Sequence, residues 1–134
     1  MIPSVSGFLD QDFVIKEQPT FTHRMDLQAT HIRGYTDKQE AMQQAIYKIL
    51  NTERYQYIMY SWDYGIELLD LFGESISYVV PEVERRIKDA LLHDTRITSL
   101  TDFRFEYPAK RVLHVLFTAH TIFGDIPIEK AVNY

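Results

Sequence analysis

Between residues 97 and 123 apolar side chains recur at alternate positions, and this period of two constrains the fold more than any other feature. Ile97, Phe103, Phe105 and Tyr107 fall on one side of an extended run, while Asp102, Arg104 and Glu106 fall on the other. Successive side chains of a strand point to opposite faces, so this is the signature of a half-buried strand. The turn falls at residues 108–111. Leu113, Val115, Phe117, Ala119 and Phe123 then line one side of a returning strand, which makes an antiparallel hairpin. Gly124 and Asp125 turn again, and residues 126–132 give a short terminal edge.

A sheet with one apolar face needs a cover, and two helical stripes supply it. Thr36 or Asp37 offers an N-cap with Gln39 or Glu40 three residues on, a capping box. Met42, Ala45, Ile46, Ile49 and Leu50 follow at helical spacing, and Asn51 and Thr52 close the helix. A second helix spans residues 78–92, with Pro81 in its first turn and Val80, Val83, Ile87 and Leu91 as its stripe.

Residues 52–73, TERYQYIMYSWDYGIELLDLFG, connect the two helices and hold Tyr55, Tyr57, Tyr60, Trp62 and Tyr64. Such rings have an apolar body and a polar tip, so a cluster this dense suits a core that continues into an interface. Aromatic content favours a strand over residues 55–62, followed by a sharp turn at Gly65 and a short helix of Ile66, Leu68, Leu69 and Phe72 that Gly73 ends. Nearer the start, residues 20–26 alternate as a strand that residues 31–33 rejoin. Residues 1–19 read as an N-terminal arm in which Phe8, Phe13, Val14 and Ile15 are available to dock. Residues 20–134 then form a single domain.

The chain has 134 residues, no cysteine and a formal net charge of -5. That length supports one core, and the missing thiols exclude disulfides and thiolate metal sites. Residues 1–13 lack a basic start and a sustained apolar run, so no secretory signal is expected. No apolar run reaches the ~20 residues that cross a bilayer, which points to a soluble protein. Net negative charge argues against nucleic acid as a partner, because Arg85, Arg86 and Lys88 are interleaved with Glu82, Glu84 and Asp89 in a solvated helix face.

Chemistry is sparse. His114 and His120 share a strand face, but six residues place them about 20 Å apart, too far to share an ion. His23, His31 and His93 have no ligand spacing, so neither metal nor cofactor is expected. Asp63, Glu67 and Asp70 could share a helix face and act as paired carboxylates of a small peptidoglycan hydrolase, provided that Gly65 does not interrupt the helix. Acidic residues early in a helix are also favoured by its dipole. A regulatory adaptor on the same fold is the third reading. Arg54 and Arg96 each sit beside a turn between elements, where five donors can bind carbonyls or a carboxylate within the fold or in a neighbouring chain.

The runs GYTDKQEAMQQAIYKILNTERYQYIMYSWDYGIELLDLFG and VERRIKDALLHDTRITSLTDFRFEY, followed by VLFTAHTIFG, resemble the small baseplate proteins of contractile-tailed phages, prophages and phage-tail-like bacteriocins. The likeness is to the Bacillus defective-prophage (PBSX-like) type, within a wider group of wedge proteins once labelled lysozyme-like, and it runs from residue 20 to the end. It implies structural work rather than cleavage: an α+β domain joining the baseplate wedge to the tail tube and first sheath layer, in several copies around the tail axis. Sheath arms would pair with its sheet by strand addition. The group carries a Glu-Pro-Arg motif after its long helix. Here Asp94, Thr95 and Arg96 occupy those positions, so the acid and the arginine persist while the proline does not.

These readings give one α+β domain, an antiparallel sheet dominated by a C-terminal hairpin with two long helices packed on one face. The expected function is a structural, non-enzymatic baseplate component, with wedge, sheath and tube or hub proteins as partners and neither nucleic acid nor membrane. Its place is the particle's baseplate, reached from the host cytoplasm during assembly. The candidate interface residues are Arg54, Tyr60, Trp62, Tyr64, Asp94, Arg96, His114, Thr118 and His120. The partner strand is expected to add over residues 112–123.

Overall fold

The computed structural model describes residues 16, 17 and 19–134. The expected arm, with Phe8, Phe13, Val14 and Ile15, therefore lies almost wholly outside the described residues. Strands β1 (Thr22–Asp26) and β2 (His31–Thr36) pair antiparallel, followed by helices α1 (Lys38–Leu50) and α2 (Ile76–Leu92). Strands β3 (Ile97–Ala109), β4 (Val112–Thr121) and β5 (Gly124–Asn133) complete the chain.

This architecture overturns the expected single sheet dominated by a hairpin, with two long helices packed on one face. Among the described residues five strands divide between two separate antiparallel sheets, β1–β2 and β3–β4–β5, and the C-terminal part is three strands rather than a hairpin with a short edge. The reason lies in residues 124–133. Ile126, Ile128 and Val132 are buried at period two, and β5 pairs with β4 in unbroken register from Thr121↔Gly124 to Val112↔Asn133. Pro127 and the polar pair Glu129 and Lys130 obscure that alternation in the sequence.

Helix α1 forms on the expected stripe with Asp37 as its N-cap, but the expected capping box does not: the extended Asp37 accepts from the adjacent Lys38 N–H at 2.7 Å, and Glu40 takes the Thr36 hydroxyl while Gln39 goes to β5. The Thr20 hydroxyl, and then that N–H, hold the Asp37 carboxyl below the usual carboxylate range. At the other end Asn51 Nδ2 donates to the Tyr47 carbonyl at 2.8 Å and Thr52 Oγ1 to the Lys48 carbonyl at 2.7 Å. Helix α2 begins at Ile76, so Pro81 falls in the second turn instead of the first. There its missing N–H deprives the Ser77 carbonyl of its helical donor, at an exposed position.

One core joins Met42 and Ile46 of α1 and Val83, Ile87 and Leu91 of α2 to Leu113, Val115 and Phe117 of β4 and Ile126 of β5. A two-stranded hairpin is marginal alone, and β1–β2 is nearly all exposed. It is held by Gln44 of α1, whose Oε1 accepts from the Met25 N–H at 2.8 Å and whose Nε2 donates to the His23 carbonyl at 2.9 Å. That amide serves β1 as a third strand would.

Candidate functional site

Residues 55–62 are not a strand. They form a run of turns with no ladder, and Tyr55 has φ of 68°. Their apolar residues do not alternate: Ile58 and Met59 are adjacent and both exposed. The loop closes where Arg54 N donates to the Ile66 carbonyl at 3.1 Å and Ile66 N to the Thr52 carbonyl at 3.0 Å. Gly65 allows this closure. Its φ is 96°, and a Cβ there would lie 2.6 Å from the Thr52 carbonyl oxygen.

The Arg54 side chain, 9% exposed, fastens both ends of the loop. Its Nε donates to the Gly65 carbonyl at 3.2 Å, its Nη2 to the Asp63 carbonyl at 3.3 Å and its Nη1 to Asp89 of α2 at 2.8 Å. Inside the loop Tyr60 stacks on Tyr64 with centroids 4.5 Å apart, and Tyr57 meets Tyr60 edge-on at 6.1 Å. Tyr64 packs on the core, and burial pushes its phenol above the usual range. Trp62 instead faces solvent, with Tyr55 beside it at 5.8 Å.

Asp94 and Arg96 lie in the connection from α2 to β3 and clasp each other. Asp94 Oδ1 accepts from the Arg96 backbone N–H at 3.0 Å and from Nε at 2.9 Å, while Oδ2 accepts from Nη2 at 2.6 Å. Both side chains are mostly buried. Burial works against ionisation of Asp94, but the Arg96 guanidinium and N–H outweigh it and hold the carboxyl below its usual range. The Arg96 carbonyl accepts from the Ile122 N–H at 3.0 Å, so the pair ties the end of α2 to the turn between β4 and β5.

His114, Thr118 and His120 sit at alternating half-buried positions of β4. His120 Nδ1 is 2.6 Å from Asp125 Oδ1 and its Nε2 is 2.6 Å from Thr101 Oγ1. His114 lies between Glu106 at 3.7 Å and Glu129 at 3.6 Å. Among the described residues no group of three or more His, Asp or Glu side chains is arranged to hold a metal ion.

Strand β4 is the central strand, paired on both sides. Residues 112–123 therefore have no open side to which a partner strand could add. The open sides belong to β3 and β5, and they differ. Three register shifts set the 13 residues of β3 against the 10 of β4, so each shift places an extra residue in β3. Such bulges pucker an edge and blunt it as a template. The β5 edge is straight. Its hydrogen-bonded positions alternate from the Gly124 end to the Tyr134 N–H, which donates to the Arg111 carbonyl at 3.1 Å. Asp125, Pro127, Glu129, Ala131 and Asn133 thus aim their backbone groups away from β4. Gln39 Nε2 takes the Asp125 carbonyl at 2.9 Å, and Pro127 has no N–H, as suits an edge. Alongside, a groove between α1 and β5 is lined by Leu27, Tyr47, Leu50, Pro127, Ile128 and Ala131.

The family described as contractile injection system sheath initiator matches residues 11–124 of this chain. The chain belongs to that family. Like other sheath initiators it has a structural role tied to the contractile tail sheath, and its place is in the tail particle. A relative, the phage-like element PBSX protein XkdS of Bacillus subtilis strain 168, is 38% identical over 97 residues, covering 70% of this chain and 68% of that protein. The resemblance to the Bacillus defective-prophage type is thereby established.

The hydrolase constellation does not assemble in this sheath initiator. Gly65 turns the chain, and beyond it only Leu69–Leu71 form a 3₁₀ turn, so Asp63, Glu67 and Asp70 share no helix face. Asp70 is instead gripped by Arg86, whose Nη2 reaches Oδ2 at 2.9 Å while Nη1 donates to the Glu67 carbonyl at 2.8 Å. Arg86 is a residue that sequence reasoning misses, grouped with the solvated face of α2. Its Nε also holds Glu82 at 3.0 Å, and the Asp70 carboxylate, against the opposing effect of burial, raises its already high pKa further. Glu53 escapes notice too. Its carboxylate accepts from the Leu68 N–H at 3.0 Å and from the Leu69 N–H at 3.2 Å, capping the short turn.

Proposed function

We propose that this sheath initiator is a baseplate component that joins the wedge to the tail tube and to the first sheath subunits, and that an extended sheath segment adds to the outer edge of β5. The carrying observation is the contrast between edges: β3 is bulged three times and β5 runs straight beside a groove in which Leu27, Tyr47 and Pro127 alternate with polar side chains such as Gln43 and Asn51. An added strand gains backbone hydrogen bonds from the edge and side-chain specificity from the groove wall. Among the described residues, Glu129, Ala131 and Asn133 offer the backbone groups, and Leu27 and Tyr47 offer apolar surface. The net charge of -5 favours protein partners over nucleic acid. Asp94 and Arg96 serve this role by fixing the sheet against α2, so that the edge is presented in one orientation. The half-buried row His114, Thr118 and His120 meets whatever the arriving subunit lays over that face.

The test is Ala131→Pro, which removes one outward N–H from an exposed edge position. Purified variant and wild type are titrated with purified sheath subunit. The reading requires about a tenfold loss of affinity, since one ladder bond of roughly 1 kcal/mol is lost and the ring crowds the incoming strand, with thermal unfolding little changed. Unchanged affinity in a folded variant would sink it.

A further inference from the structure

The row of β5 that faces the helices reads Ile126, Ile128, Lys130 and Val132. Three of these belong to the core, and the fourth carries a charge. Lys130 Nζ donates to Oδ1 of Asn51, the C-cap of α1, at 2.8 Å. That amide oxygen is neutral, and an ammonium has three hydrogens to place. Among the described residues Lys130 makes no ion pair with a carboxylate. Burial alone pushes its ammonium below the usual lysine range, with no opposing charge to restore it. The adjacent Glu129 belongs to the other face, where it meets His114 at 3.6 Å. The C-terminal end of α1 favours a cation, but a partial charge is no counter-ion for a half-buried ammonium. Lys130 lines the groove that runs beside the straight edge.

We propose that the segment added at β5 carries an aspartate or glutamate directly across from Lys130, with an apolar residue two positions away on either side. Side chains of an added strand alternate between faces, and the one opposite Lys130 lies on the groove face with its Cβ about 4.5–5.5 Å away. A carboxylate there takes the remaining ammonium hydrogens in a charge-assisted pair, which the arriving strand itself shields from water. The same-face residues two positions away meet Ile128 and Val132, so they are apolar. Lys130 thereby sets the register. A slip of two residues lays the carboxylate against Ile128 or Val132, and a slip of one turns it to the opposite face. This inference rests on strand addition at β5 and supplies the register and the acid that the reading lacks.

The full chain is mixed with purified sheath subunit and treated with a carbodiimide, which joins an amine to a carboxylate in contact with it, and the joined peptides are identified by mass spectrometry. The expected product links Lys130 to an Asp or Glu of the sheath subunit that has apolar residues two positions before and after it. A complex joined only through other lysines overturns the proposal. Lys130→Met keeps the buried stem and removes the charge, so the melting temperature should hold or rise while affinity for the sheath subunit falls by about tenfold or more. Lys110→Met removes the same charge from the exposed turn between β3 and β4 and should leave affinity unchanged. Wild-type affinity in Lys130→Met, or an equal loss in both lysine variants, overturns the proposal as well. Ala131→Pro separates the two readings. If it weakens binding while Lys130→Met does not, this inference alone fails; if neither weakens binding, strand addition at β5 fails and this inference with it.

Discussion

Arg54 and Asp89 stand 35 positions apart in sequence and meet at 2.8 Å, Nη1 to Oδ2, so the base of the aromatic loop is anchored to α2. The same guanidinium holds the Asp63 and Gly65 carbonyls at the loop's far end. Replacing Arg54 by Ala removes three hydrogen bonds and leaves two carbonyls without donors, a loss of about 2–3 kcal/mol. Arg54→Lys recovers little, because one ammonium cannot reproduce the planar fork. Hydrogen exchange over residues 55–64, together with a urea melt, measures both effects.

Gly65→Ala should be among the more damaging single-methyl changes in the protein. The added carbon would sit 2.6 Å from a backbone oxygen that already accepts the Ile66 N–H, and φ is left-handed. Gly73 shares a left-handed φ of 86° but has open space around it. Gly73→Ala is therefore expected to cost about 1 kcal/mol and Gly65→Ala at least about twice that. Thermal melts of the two variants give the comparison directly.

The clasp between Asp94 and Arg96 predicts an acid-sensitive contribution. A carboxyl whose folded pKa lies below its unfolded one contributes stability above the unfolded value, near 3.8, and loses it as pH falls through the folded value. Arg96→Gln should cost on the order of 3 kcal/mol at pH 7, the low end for breaking a buried pair. The gap between variant and wild type should narrow as pH falls below 3.8 and through the lower folded value. Denaturant melts at about pH 7 and at successively lower pH in acid test this, and a gap that stays constant down the series would assign Arg96 a packing role instead.

Leu113 on β4 is fully buried in the core that helices and sheet share. Leu113→Ala should cost about 2–5 kcal/mol through lost contact and the cavity left behind. The melting temperature of the variant, set beside that of wild type, measures the loss.

How much can be read from sequence depends on whether the signal is local. Helix α1 is legible because its cap at Asp37, its stripe and its closing Asn51 and Thr52 lie within one short stretch. The same holds for the alternation of β4, whereas in β3 only Phe103 and Phe105 keep it, because the bulges put Leu100 in the core with Ile97 and leave Tyr107 exposed. Strand β5 reads as only a short edge because Pro127, Glu129 and Lys130 interrupt its pattern, although each is accommodated by an outer edge. Residues 55–62 mislead because aromatic content imitates a strand, while the groups that shape the loop, Asp89 and Gly65, come from outside it. Arg86 is hidden for the same reason: Asp70 is 16 positions away. The bulges of β3 have no single-strand signature at all, since a bulge exists only relative to the partner's register.

Those three bulges give the sheet a valency. With one puckered side and one straight side, the three-stranded sheet offers a single template. On the strand addition proposed above, one incoming segment would fill that sheet, and each copy would seed one row of subunits through it.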